Sequence, residues 1–153
     1  YVAANPGRYH DFSDPRVWAV VAHAPGMRAT FGPDGLSNVA VPAMVIGGVE
    51  DELTPYVEDH RGAYEGLSVV PRYLAGLTGC GHYSFATADF CMLLTSLSLS
   101  SDGCTDEYRP IDEALQTVQE LTLAFLDTVR GESRARPWLP PDVGLDEWQA
   151  VEQ

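Results

Sequence analysis

Val41-Pro42-Ala43-Met44-Val45-Ile46-Gly47-Gly48-Val49-Glu50-Asp51-Glu52-Leu53-Thr54-Pro55 is the stretch whose reading decides the fold. It opens as a nearly unbroken apolar run, with Pro42 at the beginning, where a strand tolerates it. Continuous rather than alternating hydrophobicity marks a strand buried on both faces, as in a parallel sheet covered by helices. The Gly47-Gly48 pair then lets the chain leave the sheet sharply, so that Asp51 points along the sheet edge rather than into a helix. Thr54 is a good N-cap, and Pro55 suits a first helical position, where its missing N–H costs nothing. Tyr56, Ala63, Tyr64 and Leu67 recur at helical spacing, and Gly66 helps end that segment.

Working outward, Val17-Trp18-Ala19-Val20-Val21-Ala22 is a second continuous apolar run, preceded by the turn signal Ser13-Asp14-Pro15. Arg72-Tyr73-Leu74-Ala75-Gly76-Leu77 is a weaker third strand, softened at Gly76. A helix between the second and third strands implies a right-handed parallel crossover. From Pro110 to Val129, Ile111, Leu115, Val118, Leu121, Phe125 and Val129 follow a 3.6-residue period, and Gly131 supplies the stop. This long helix should cover one face of the sheet. The expected organisation is α/β: residues 1–131 as one unit and 132–153 as a tail laid over the surface, with Trp138, Leu139 and Trp148 as its anchors. Three parallel strands and two helices leave the first strand with an exposed apolar edge, which points to the C-terminal portion of a larger sheet.

The formal net charge is −13, and all nine basic residues are Arg. A surface of that sign repels phosphate backbones and anionic membranes, which argues against nucleic-acid binding. No run of eighteen apolar residues exists, so no transmembrane segment is expected. The chain starts at Tyr1 with no signal-peptide pattern, as a processed or trimmed product would. Cys80, Cys91 and Cys104 do not match a zinc spacing. Cys91 and Cys104 are placed to close a short loop around Ser100-Ser101-Asp102-Gly103; the alternative is three unpaired thiols. A disulfide would favour a secreted or periplasmic protein over a cytoplasmic one.

Gly79-Cys80-Gly81-His82-Tyr83-Ser84-Phe85 follows the third strand as the Asp51 turn follows the second. Each turn sets one side chain of catalytic type at a strand end. A carboxylate that accepts an imidazole Nδ1–H orients the ring and stabilises the imidazolium, and the imidazole then works as a general base. Asp51 and His82 are the candidate catalytic residues. Glu50 and Glu52 rival Asp51 by chemistry, and all three could be solvated acids of an acidic protein. His10, His23 and His60 read as structural or surface histidines, although His23 follows the first strand and could line a pocket. Ligands of such sheets bind beyond the carboxyl ends of the strands. Met27 and Phe31 in the loop after the first strand, with Tyr83 and Phe85 near His82, are therefore the candidate substrate-binding residues, with ordinary loop packing as the alternative. A metal site from Asp51, Glu52 and His82 lacks a recognisable ligand spacing.

The stretch from Asp14 to Val21 with Ala24-Pro25-Gly26, then Val41 to Gly48 with Asp51 and Pro55, and lastly Gly79 to Phe85, resembles the C-terminal half of an α/β-hydrolase over roughly residues 12–130. It is most similar to the branch that holds dienelactone-hydrolase-like esterases, platelet-activating-factor acetylhydrolases and cutinase-like polyester hydrolases. The resemblance implies that Asp51 is the acid and His82 the base of a Ser-Asp-His triad. It also implies a nucleophile one helix before the first strand, upstream of Tyr1 or on a complementary N-terminal chain, because no Gly-x-Ser-x-Gly occurs here. Both oxyanion-hole N–H groups would lie outside the chain as well, and Ser84, which is in no elbow, is not a nucleophile. The implied activity is hydrolysis of a small-molecule or lipid-like ester, carboxylesterase- or lipase-like, with no metal or organic cofactor. A cysteine nucleophile of the dienelactone-hydrolase kind and a non-catalytic scaffold that keeps the half-fold are the alternatives.

Overall fold

The computed structural model describes residues 14–26, 31, 35–131 and 145–151. Among these residues, four strands form one mixed sheet in the order β1 (Val20–His23), β2 (Ala43–Gly48), β3 (Arg72–Leu77) and β4 (Leu145–Val151). The first three are parallel, with Val20 opposite Ala43 and Ala43 opposite Arg72, and β4 runs antiparallel to β3. Helices α1 (Gly62–Gly66), α2 (Ala88–Ser96) and α3 (Ile111–Arg130) complete the α/β architecture.

The apolar run of β2 is buried along its whole length, because both faces of the sheet are covered. Met44 and Ile46 turn to one face with Tyr73, Ala75 and Leu77, where Ala114, Val118, Leu121 and Phe125 of α3 pack on them. Ala43 and Val45 turn to the other face with Leu74, beneath Tyr56, Ala63, Tyr64 and Leu67. Phe125 is fully buried and meets Tyr73 edge-on at 5.5 Å; burying a side chain of this size contributes about 1.5–3 kcal/mol. As expected, α3 follows Pro110 and ends at Gly131, which adopts a left-handed conformation.

Three segments differ from the sequence reading. The first strand starts at Val20, and Val17 and Trp18 precede it, exposed. The segment after Pro55 is one π-helical stretch, Tyr56–Arg61, that runs on into α1, and its N-terminus has no side-chain cap. The Thr54 hydroxyl, expected to cap it, is used elsewhere. Residues 145–151, expected in a surface tail, form β4, and Trp148 packs on Tyr73 at 5.9 Å. The sheet is therefore mixed rather than purely parallel. Trp138 and Leu139 lie outside the described residues.

The segment between the His82 turn and α3 is tied down at two points. Thr87 caps α2 by accepting from Phe90 N, and a disulfide joins Cys91 of α2 to Cys104. Cys80 is the free thiol, buried below the sheet edge.

Candidate active site

The turns that leave β2 and β3 meet at the carboxyl edge of the sheet. Glu50 N–H donates to the Cys80 carbonyl, and the Glu50 carboxylate accepts from Cys80 N–H, both at 3.1 Å. Glu50 is thereby committed to the backbone, and Glu52 is exposed. Of the three neighbouring acids it is Asp51 that turns inward, to 5 % exposure.

His82 Nδ1 lies 3.0 Å from Asp51 Oδ2, across 31 residues of sequence. The His82 ring is about one-fifth exposed, whereas the carboxylate is fully buried. Asp51 Oδ1 accepts the backbone N–H groups of Leu53 (3.0 Å) and Thr54 (2.7 Å), which holds the carboxylate plane. Burial pushes the Asp51 carboxyl upward, but hydrogen bonds from His60, His82 and Thr54 N–H, with the charge of His82, outweigh it and hold it well below the usual carboxylate range. The hydrogen bond to Asp51 raises His82 above an ordinary imidazole, against the opposing effect of burial. With Nδ1 occupied by Asp51, Nε2 is the nitrogen left for proton transfer.

A third group clamps the two turns together. Asp102 Oδ2 accepts from Glu52 N–H (3.0 Å) and Leu53 N–H (3.1 Å), while Oδ1 accepts from His82 N–H (3.0 Å). Gly81 makes this approach possible, since a Cβ there would stand 2.0 Å from Asp102 Oδ1. The Cys91–Cys104 disulfide anchors the Asp102 loop from the other side.

His60 and Thr54 complete the inner surroundings of Asp51. Thr54 Oγ1 is 3.0 Å from Asp51 Oδ2, 3.0 Å from His82 Nδ1 and 3.1 Å from His60 Nε2. His60 Nε2 is also 3.3 Å from Asp51 Oδ2, and its ring is wholly buried. Sequence reasoning took His60 for a structural histidine, Thr54 for a helix cap and Asp102 for part of a loop tip. Nothing in the spacing of a lone histidine nine residues after Asp51 shows that a π-helical turn will aim it back at the carboxylate.

The expected substrate-binding residues are dispersed. Tyr83 sits edge-on to His82 at 4.9 Å and touches Phe90 of α2 at 5.9 Å, so it borders the pair. Phe85 stacks on His23 at 6.1 Å and packs on the core. Phe31 lines an apolar cavity of about 240 Å³ with Val20, Ala22, Leu36 and Val39, on the α1 face of the sheet, and neither Asp51 nor His82 belongs to its wall. Met27 lies outside the described residues.

Two further side chains are set aside by their surroundings. Ser84 is buried, with its Oγ accepting from Gly81 N–H and donating to the Gly103 carbonyl. Burial pushes the Cys80 thiol up to about 11, so it stays protonated near neutrality. Among the described residues, no group of three His, Cys, Asp or Glu is arranged to hold a metal ion, and no helix is long and apolar enough to cross a membrane. A scan against protein-family models matches none, and a search of curated proteins likewise finds no match.

Proposed function

We propose that this chain carries the acid and the base of a serine ester hydrolase of the α/β-hydrolase kind, with the nucleophile supplied by an upstream segment or a complementary chain. The observation that carries this reading is the 3.0 Å contact of His82 Nδ1 with the buried Asp51 carboxylate, made between turns that follow neighbouring parallel strands. Asp51 fixes the Nδ1–H tautomer. His82 Nε2 takes the proton of the serine hydroxyl as its oxygen attacks the ester carbonyl, and returns it to the departing alcohol. Water repeats the sequence on the acyl-enzyme and releases the acid.

An uncharged or lipid-like ester suits the apolar rim of Tyr83 and Phe90 beside His82, and the net charge of −13 disfavours polyanions. The Cys91–Cys104 disulfide supports a secreted or periplasmic setting.

The test is fluorophosphonate labelling of the protein together with any polypeptide that co-purifies, followed by peptide mapping. One serine is expected to be labelled in the native sample and unlabelled in His82→Ala, with ester turnover down by about three orders of magnitude or more. Labelling that persists in both His82→Ala and Asp51→Asn would overturn the reading. Turnover blocked by iodoacetamide, with no serine labelled, would assign a thiol nucleophile instead.

A further inference from the structure

Asp51 has two imidazoles on it, and the catalytic reading uses one. His60 is wholly buried, with Nε2 turned to Thr54 Oγ1 at 3.1 Å and to Asp51 Oδ2 at 3.3 Å. Its other nitrogen, Nδ1, rests on the strand backbone, since a Cβ on Gly47 would stand 2.0 Å from it. Nδ1 has no hydrogen-bond partner among the described residues.

These contacts favour one arrangement of protons, with the Ala24 carbonyl, 3.5 Å from Thr54 Oγ1, the more distant acceptor for that hydroxyl. An ionised Asp51 only accepts, so His82 Nδ1–H and the Thr54 hydroxyl both donate to Oδ2. Thr54 Oγ1 then has a lone pair free toward His60, and His60 must carry its proton on Nε2 to reach both oxygens. A proton on Nδ1 would instead be a buried N–H pressed against Gly47 without an acceptor, which is unfavourable. The remaining neighbours do not reverse this. Tyr56 meets His60 edge-on at 5.6 Å, with the Arg61–Glu147 ion pair alongside, and Asp102 acts on the His82 side.

We infer that His60 is a positioning residue for the Asp51–His82 pair: an Nε2–H donor that aims the Thr54 hydroxyl at Asp51 and draws off part of the carboxylate's charge. It thereby limits how strongly Asp51 holds the proton of His82, and so sets the lower end of the pH range in which His82 is a free base. The inference rests on the proposed triad only for its catalytic consequence, because the proton arrangement is a property of this chain alone.

The experiment is nitrogen-15 NMR of the histidine side chains in the full chain across the neutral pH range. Native His60 is expected to show the Nε2–H tautomer, its proton on the nitrogen that faces Thr54 and Asp51, while His82 titrates. His60→Phe keeps a ring and removes the donor, so the His82 midpoint moves to higher pH; His60→Gln restores an N–H and returns the midpoint toward native. In the assembled enzyme, the ratio of turnover at pH 6 to that at pH 8 falls by about threefold or more in His60→Phe, the worth of one modest hydrogen bond. An Nδ1–H tautomer of His60 overturns the inference without any variant having to fold. An unchanged His82 midpoint in His60→Phe also overturns it. If Asp51→Asn, too, leaves His82 unchanged, it is the Asp51–His82 pairing itself that fails, which separates the two ideas.

Discussion

Replacing Asp102 by Ala should cost more stability than a single loop aspartate ordinarily does. The side chain is 7 % exposed and accepts three backbone N–H groups, from Glu52, Leu53 and His82, at 3.0–3.1 Å. A hydrogen bond to a charged acceptor contributes about 1.5–3 kcal/mol, and a buried donor left without one costs about 1–3 kcal/mol. Leu53 N–H keeps Asp51 Oδ1 as its other acceptor, and water can reach the exposed Glu52 once the carboxylate is gone, so the expected loss is about 2–4 kcal/mol. That is a large part of the net stability of a typical domain, about 5–15 kcal/mol. Asp102→Asn keeps one acceptor but turns an NH₂ toward a backbone N–H, so about half the loss is expected. Urea unfolding followed by circular dichroism measures both, with the midpoint falling and the slope unchanged. The His82 midpoint, read by NMR in the same samples, should drop toward that of a free imidazole as the two turns part. A loss below about 1 kcal/mol in Asp102→Ala, with the His82 midpoint at its native value, would refute the idea that Asp102 holds the acid and the base together.

Stability should depend on pH at two limbs. The lowered Asp51 carboxyl contributes above its ordinary value of about 4 and loses that contribution as pH falls toward its folded value. The raised His82 contributes below about 6.5 and loses it as pH rises through its folded value. Asp51→Asn should flatten both limbs in urea midpoints taken against pH; two limbs that stay as steep would mean that other groups cause them. Reducing the Cys91–Cys104 bridge, which spans 13 residues, should cost about 3 kcal/mol by loop entropy, seen as a lower urea midpoint in dithiothreitol. Ala24, at the end of β1, has a left-handed φ of 42°. Ala24→Gly should therefore leave stability unchanged or raise it, against the loss of about 0.5–1 kcal/mol that the same change brings in ordinary strand or helix backbone; thermal melts decide the sign.

How much of this was legible beforehand follows from where the information resides. The strands β2 and β3 and the helix α3 each bury a face set by local order, so the runs Val41–Ile46 and Arg72–Leu77 and the period from Ile111 to Val129 pointed to them. Asp51 and His82 could be paired because each follows such a strand directly. The helix α2 escaped notice because Phe90, Met92 and Leu93 lie exposed on it, which blurs any amphipathic period. Its N-cap, Thr87, was the readable signal. In β4 the run Leu-Asp-Glu-Trp-Gln-Ala-Val is half polar, as an edge strand can be, and it is held by backbone pairing with β3 that composition does not encode. His60 and Asp102 act on partners that no local pattern ties to them, and only the folded chain brings those contacts about.

Read along the ribosome's schedule, the Asp102 clamp imposes an order on the birth of the site. Asp51 and His82 have both been synthesised by residue 82, but the carboxylate that registers one turn against the other arrives 20 residues later. Its anchoring thiol at Cys104 comes later still, and the bond it makes waits for an oxidant. A nascent chain therefore carries Asp51 and His82 before the carboxylate that ties their two turns together, and the clamp can close only once translation has passed Asp102.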